Sequence, residues 1–137
     1  MPLKGSYLLC ASLSSPTRIR VGALGEISFQ PGIYLYCGSA MGGVHDRVGR
    51  HFRKEKKIRW HIDYLLSSSD PFGALIFTEQ NVTECLLRRK LSETGLLNVP
   101  AMRFGSSDCD CPSHLFHLED EELLTPLLSS LKWKVTD

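Results

Sequence analysis

The stretch "GIYLYCGSA", from Gly32 to Ala40, decides how the surrounding chain is arranged. Its apolar and β-prone residues predict a strand that follows a Gln-Pro-Gly turn. Tyr34 and Tyr36 are two positions apart, so their side chains point to the same face of the sheet on neighbouring pleats. The two tyrosines therefore cannot represent two different strands.

The residues before this stretch predict three more strands. The run "GSYLLCASL", from Gly5 to Leu13, is apolar, contains β-prone Tyr7 and is closed by the turn-like "SSPT". The segment "RIRVGALGEISF" alternates in polarity and is punctuated by two glycines, which predicts a hairpin. Four strands are thus expected before the first helix.

From Met41 onward the apolar residues recur with the period of a helix. Val44, Val48 and Phe52 follow at steps of four and predict the buried stripe of an amphipathic helix. Four polar residues are predicted on the opposite side of this helix: Arg47, Arg50, His51 and Lys54.

The rest of the chain predicts helices and strands in alternation. "RWHIDYLLSSSD" is predicted to form a short helix that ends at Asp70-Pro71, and "GALIFT" is predicted to form a strand. "NVTECLLRRKLSETG" is predicted to form a helix that is capped by Asn81 and ends at Gly95. The predicted core face of this helix is formed by Leu86, Leu87 and Leu91. "FGSSDCDCPS" is a loop, "HLFHL" a strand and "EDEELLTPLLSSLKW" a last helix. The order β-β-β-β-α-α-β-α-β-α predicts one α+β domain over residues 1–137, with a small mixed or antiparallel sheet flanked by helices.

Composition is that of an ordinary globular domain. The 137 residues are 42% hydrophobic and 23% charged, and no apolar run reaches the roughly 18 residues of a membrane span. The N-terminus lacks a convincing secretory signal, and five cysteines at irregular spacing favour reduced thiols. We expect a cytoplasmic protein with no membrane partner, and no pattern predicts its oligomeric state.

Charge is unevenly distributed although the net charge is only +1. Seven of the sixteen Lys and Arg residues lie between Arg47 and Arg59, whereas Glu119–Glu122 is wholly acidic. Such a basic block can contact phosphates, and it is equally typical of a solvated helix face. The residues expected to contact nucleic acid are Gly38, Ser39, Arg50, Arg53, Lys54, Lys56 and Lys57.

Two half-motifs, Gly5-Ser6-Tyr7 and Tyr36-Cys37-Gly38, resemble the signature of the GIY-YIG nuclease superfamily. That signature places Gly-x-Tyr on a first strand and Tyr-x-Gly on a second, so Gly32-Ile33-Tyr34 is a coincidental match. Serine and cysteine replace the two usual isoleucines. The interval between the half-motifs is longer than usual and holds the predicted hairpin.

The resemblance continues beyond the signature. Arg47 and His51 match an arginine and a histidine one turn apart on the following helix, and Glu84 matches a metal-binding glutamate at the start of a later helix. The family's late asparagine has no clear counterpart. The strings "YLYCGSA", "RHFRKEKKIRWHIDYLL", "TECLL" and "FGSSDCDCPSHLF" look like an uncharacterised subfamily whose members occur alone or joined to endonuclease III-type repair enzymes.

The resemblance implies a metal-dependent endonuclease that hydrolyses phosphodiester bonds in DNA, including damaged or branched DNA, with DNA repair proteins as partners. The implied catalytic residues are Tyr7, Tyr36, Arg47, His51 and Glu84, and Glu84 is the implied ligand of Mg²⁺ or Mn²⁺. A lone carboxylate with retained waters suits magnesium, and an arginine fork can neutralise phosphoryl charge. The tyrosines would activate or orient water, with His51 as a proton relay.

Each of these residues also has a purely structural interpretation. The two tyrosines suit a sheet core, and Arg47 with His51 suits a solvated helix face. Glu84 stands three residues after Asn81, which is the spacing of a capping box. The alternative function is a non-catalytic nucleic-acid-binding module of the same fold. His61 and Asp63 are expected to form a polar brace near the site.

A cluster of zinc-type ligands lies further on: Cys109, Cys111, His114 and His117. Cys-x-Cys is tighter than usual zinc spacing, and histidines three apart in a strand point to opposite faces. The competing hypothesis is a loop over the tyrosine and glutamate site, with polar contacts from Ser107, Asp108 and His114. A zinc or thiol-based regulatory protein is the third functional class.

Overall fold

Six strands and four α-helices follow one another in the computed structural model, which describes residues 3–79, 82–106 and 110–131. They are β1 (Gly5–Leu13), β2 (Thr17–Arg20), β3 (Glu26–Phe29), β4 (Gly32–Ala40), α1 (Val44–Phe52), α2 (His61–Leu66), β5 (Asp70–Phe77), α3 (Glu84–Glu93), β6 (Leu115–Leu118) and α4 (Leu124–Ser130). Their order is the predicted one, so the α+β class is confirmed. No helix within these three ranges has the length and apolarity needed to cross a bilayer.

Strands β1 and β4 form the centre of a four-stranded antiparallel sheet with the order β5-β1-β4-β6. They pair along all nine residues of each strand, which places Tyr7 opposite Gly38 and Leu9 opposite Tyr36. Strands β2 and β3 pair only with each other, in a separate two-stranded sheet. The long interval between the two half-motifs therefore contains a β2–β3 hairpin that does not pair with the central sheet.

Both faces of the central sheet are buried, because alternate residues of β1 and β4 enter two different apolar cores. Tyr7 and Tyr36 lie in a core that also contains buried residues of α1 and α2. Leu8 and Leu35 lie in a second core, with buried residues of α3 and α4. The tyrosines of the two half-motifs thus share one face although they lie on different strands.

Helix α1 buries a different stripe from the predicted one. Val44 and Val48 are buried as expected, but Phe52 is 39% exposed and His51, expected on the outer side, is 1% exposed. At 3.6 residues per turn, His51 lies roughly 20° around the helix from Val44 and Phe52 lies roughly 80° away. The helix therefore turns His51 towards the sheet.

Strand β5 begins at Asp70, three residues earlier than predicted, and includes Pro71. A proline lacks the backbone N–H that a central strand would need, and β5 tolerates it because it lies at the edge of the sheet. The pairing of β5 with β1 also shifts register between Cys10 and Ala11.

Helix α3 is capped by Thr83, whose side-chain oxygen accepts a hydrogen bond from the backbone N–H of Leu86. Asn81, the predicted cap, lies outside the described residues. Leu87 and Leu91 are buried as predicted, whereas Leu86 is only half-buried.

Replacing Gly38 with alanine should destabilise the fold by about 1–3 kcal/mol, because the new methyl group overpacks a filled site. An added Cβ would lie 2.6 Å from Cε1 of Tyr7 and closer still to the ring carbon that bears the hydroxyl. The buried ring cannot move aside cheaply. Urea denaturation measures the loss.

The matched control is Gly49→Ala, at an exposed position of helix α1 where an added Cβ meets no atom within 4 Å. This change should leave stability unchanged or raise it by up to about 1 kcal/mol. Equal unfolding free energies for the two variants would contradict the expected clash.

Candidate functional site

A cleft of about 440 Å³ opens on the tyrosine face of the central sheet. All five residues predicted as catalytic line it: Tyr7, Tyr36, Arg47, His51 and Glu84. They come from β1, β4, α1 and α3, which are far apart along the chain. The fold thus brings the five side chains together.

Tyr7 and His51 form a buried hydrogen-bonded pair, with 2.7 Å between the phenol oxygen and Nε2. Burial lowers the pKa of His51 to about 4, although the Asp63 charge opposes the shift. Burial also raises the pKa of Tyr7 well above its ordinary value, against the opposing charge of Arg47. Both groups are therefore neutral near pH 7. Nδ1 of His51 has no hydrogen-bond partner among the described residues.

Tyr36 lies beside Tyr7, with 6.4 Å between the ring centroids. Burial raises the pKa of Tyr36 well above its ordinary value, so this phenol is also neutral. Gly105 packs on its ring in a left-handed conformation, where an added Cβ would lie 2.8 Å from the ring. The backbone N–H of Gly105 donates to Nδ1 of His61 at 2.8 Å. His61 therefore holds the loop that covers Tyr36.

Arg47 reaches the cleft across the ring of Trp60. Its guanidinium carbon lies 4.3 Å from the centroid of that ring, and it donates to the carbonyl oxygen of Ser39 at 3.0 Å. Arg50 lies over the same ring at 4.4 Å. The sequence predicts only that Trp60 belongs to a short helical segment, whereas its side chain lines the cleft as a cation–π platform. The signal for this role was an aromatic residue directly after the basic block Arg47–Arg59.

Asp63 anchors the segment that carries Trp60. Its buried carboxylate accepts two hydrogen bonds of 3.0 Å from Arg50 and others from the backbone N–H groups of Arg59 and Trp60. Burial raises the pKa of Asp63, but these hydrogen bonds outweigh burial and lower it. Asp63 thus forms the expected brace. The Arg50 guanidinium, predicted to contact nucleic acid, is engaged in this brace.

The other residues predicted to contact nucleic acid fall into two groups. Arg53, Lys54 and Lys57 are exposed, and Lys54 forms an exposed ion pair with Asp70. Three are engaged within the fold: Lys56 donates to main-chain oxygens of His51 and Arg53, Gly38 lies under the Tyr7 ring, and Ser39 contacts Glu84.

Glu84 presents a carboxylate to the cleft from the first turn of α3. The Ser39 hydroxyl donates to Oε1 at 2.8 Å, and Nδ1 of His114 lies 3.1 Å from Oε2. Burial raises the pKa of Glu84, but the hydrogen bonds from His114 and Ser39 outweigh burial and lower it. An ionised, oriented carboxylate with its side chain 30% exposed can hold a hard divalent cation.

A family model with the description "Domain of unknown function DUF123" matches residues 6–135. The chain belongs to the DUF123 family. The match includes every cleft residue named above. Comparison with curated proteins gave no match, and comparison with solved structures gave none either. The assignment of this DUF123 chain to the GIY-YIG superfamily stays a prediction.

The predicted four-residue zinc cluster is not assembled as expected in this DUF123 chain. His117 lies on β6, where Nε2 donates to the carbonyl oxygen of Pro31 at 2.9 Å and the ring packs on Tyr34. Cys85 instead joins Cys111 and His114. The residues around Cys85 in the sequence contain no local pattern that predicts this long-range contact. Three residues of the predicted loop, Ser107, Asp108 and Cys109, lie outside the described residues.

Burial of His51 should make the DUF123 domain less stable in mild acid. Its imidazole titrates near 6.5 in the unfolded chain and at about 4 in the fold. Between these values the unfolded state binds more protons, so the unfolding free energy falls as the pH decreases from about 6.5 to about 4. The fall is up to about 3 kcal/mol for this group, and above about pH 7 it contributes no pH dependence.

Urea denaturation across this range should give a shallower pH dependence for His51→Gln than for the wild type. His45→Gln, at an exposed position of the same helix, is the matched control and should follow the wild type. Parallel curves for all three proteins would show that His51 is not buried in neutral form.

Proposed function

We propose that this DUF123 domain is a GIY-YIG-type endonuclease that uses Mg²⁺ or Mn²⁺ to hydrolyse phosphodiester bonds in DNA. One observation carries the proposal: two phenols, an imidazole, a guanidinium and a carboxylate from four separate elements line one cleft. These are the residues that the sequence resemblance nominates. A structural role for each residue alone does not explain why they converge.

The Glu84 carboxylate suits a divalent cation because it is ionised, oriented at both oxygens and open to the cleft. A single carboxylate, completed by waters and a substrate phosphate, is a common magnesium arrangement. A bound Mg²⁺ would supply charge compensation at the phosphoryl oxygens and a lowered pKa for a coordinated water.

In this proposal, Tyr7 and His51 move the proton of the attacking water. A water that transfers a proton to the Tyr7 oxygen can do so as Tyr7 passes its own proton to Nε2 of His51, 2.7 Å away. Neither side chain has to be charged beforehand, which agrees with the raised pKa of Tyr7 and the lowered pKa of His51. The tyrosine therefore does not have to exist as a phenolate in the resting enzyme.

In this proposal, Arg47 and Tyr36 contact the phosphoryl group. An arginine side chain is a permanent cation with five guanidinium N–H donors, and the guanidinium carbon of Arg47 lies over the Trp60 ring. Arg47 can therefore compensate the negative charge that grows as water attacks. Tyr36 is a neutral phenol and offers a hydrogen-bond donor beside it.

The wider setting of the proposal follows from the same resemblance. It includes damaged or branched DNA as substrate and DNA repair proteins as partners. Independently of the resemblance, we propose a cytoplasmic location, since five cysteines at irregular spacing favour reduced thiols.

The purified protein should cleave linear, nicked, flap or junction DNA in the presence of Mg²⁺ or Mn²⁺. Glu84→Gln, Arg47→Ala and Tyr7→Phe should each reduce the cleavage rate by about 100-fold or more, because each removes a group that acts on the reacting phosphate or water. Gel electrophoresis of labelled DNA measures the rate.

Two exposed positions away from the cleft provide matched controls: Glu93→Gln on α3 and Arg18→Ala on β2. Both should retain the wild-type cleavage rate. Cleavage that persists in Glu84→Gln, or that fails with every substrate and both metals, contradicts the endonuclease proposal.

The exposed cations after α1 support contacts with the DNA backbone. Arg53 and Lys57 are exposed in the segment that follows the helix that carries Arg47. The double variant Arg53→Ala/Lys57→Ala should bind all DNA sequences more weakly and lower the slope of log K against log salt by about 2. Fluorescence anisotropy at several salt concentrations measures both effects.

The control double variant is Arg18→Ala/Arg20→Ala, which removes two exposed cations from the separate hairpin. An equal loss of affinity in both double variants would contradict a binding surface at the basic segment. Salt-sensitive binding without cleavage under either metal would instead support the non-catalytic nucleic-acid-binding module.

A further inference from the structure

Three metal-ligand side chains meet in the wall between two clefts. His114 lines the cleft of the candidate site, whereas Cys85 and Cys111 line a second cleft of about 510 Å³. The Cys85 sulfur lies 3.0 Å from that of Cys111 and 3.9 Å from Nε2 of His114, and all three ligand atoms lie within 4.8 Å of one another. The start of α3 and the segment before β6 thus share one cluster.

We propose that Cys85, Cys111 and Nε2 of His114 bind a zinc ion, beside the site proposed for Mg²⁺ or Mn²⁺. Two sulfurs and one imidazole nitrogen favour zinc, whereas magnesium prefers oxygen ligands. Tetrahedral bonds of about 2.3 Å to sulfur and about 2.0 Å to nitrogen put ligand atoms roughly 3.5–3.8 Å apart. The distances from the Cys85 sulfur to the Cys111 sulfur and to Nε2 of His114 are each within about an ångström of those values. Three protein ligands leave a fourth position for water or another donor.

The second ring nitrogen of His114, Nδ1, lies beside a carboxylate, which is a usual partner of zinc-bound histidines. Nδ1 lies 3.1 Å from the Glu84 carboxylate, which favours the tautomer with the proton on Nδ1 and with the lone pair on Nε2, 3.9 Å from the Cys85 sulfur. The His114 backbone is held on both sides, since its N–H donates to Phe104 and its carbonyl accepts from Cys37. The imidazole is therefore oriented before any ion binds.

The second cleft provides a path for the ion. Cys85 and Cys111 are half-buried and line this cleft, whereas Cys10 and Cys37 are buried within the central sheet. A zinc ion here would tie the segment before β6 to α3 and would keep His114 against Glu84. The proposal does not rest on the endonuclease proposal, because it uses different ligand atoms.

Metal analysis of protein purified under reducing conditions, without metal-affinity resin, should find about one zinc ion per chain. Cys85→Ser and Cys111→Ser should each lose the ion during dialysis against a chelator, and Cys10→Ala should keep it. Cobalt added to the wild-type apoprotein should give thiolate-to-cobalt charge-transfer bands and tetrahedral d–d bands. This spectrum needs no variant, so it decides the question even if a serine variant fails to fold.

The orienting role of Glu84 has its own test. Glu84→Gln should weaken zinc binding by about 10-fold to 100-fold, and Glu93→Gln on the same helix should leave it unchanged. Equal zinc affinity in both variants would exclude the orienting role.

Reduced wild-type protein that takes up neither zinc nor cobalt overturns the zinc site. The zinc site is also overturned if the Cys85→Ser/Cys111→Ser double variant binds zinc as tightly as the wild type. It is overturned as well if the purified protein contains a Cys85–Cys111 disulfide in place of the metal. An inactive protein with full zinc contradicts only the endonuclease proposal. A protein that cleaves DNA but contains no zinc contradicts only the zinc-site proposal.

Discussion

Strand β4 carries no side chain at the point where the Tyr7 ring crosses it. The pairing of Tyr7 with Gly38 lets the ring lie over the sheet and places its hydroxyl 2.7 Å from Nε2 of His51. His51 belongs to the stripe that packs α1 against the sheet, so the rotation of α1 is fixed by this contact together with two buried valines. Arg47, one turn earlier, is thereby directed to the same cleft.

The basic block from Arg47 to Arg59 also stabilises the fold. Arg47 and Arg50 pack on the Trp60 ring, whose negative face attracts both guanidinium groups. The buried Asp63 carboxylate pairs with the Arg50 guanidinium and holds the backbone that presents Trp60. This wall of the cleft therefore combines positive charge with a fixed shape, which isolated lysines on a flexible loop would not provide.

Local sequence patterns were sufficient to predict the order of the helices and strands, because each element carries its own period and boundary residues. The predicted bounds of β1 coincide with the observed ones, and the order of all ten elements is correct. Position 51 was assigned to the wrong side, because steps of four drift away from a 3.6-residue period. The joining of Cys85 to Cys111 depends on long-range packing, so no local pattern could reveal it. The convergence of Tyr7, Arg47 and Glu84 was expected only from family resemblance.

The borders of the central sheet limit how copies of this chain can associate. One border is β5, which is interrupted by Pro71 and a register shift, and the other is β6, which is only four residues long. Neither offers a long, regular row of free backbone groups on which another chain could extend the sheet. Within the described residues, these two borders disfavour edge-to-edge extension of the central sheet, although its central strands are almost wholly apolar.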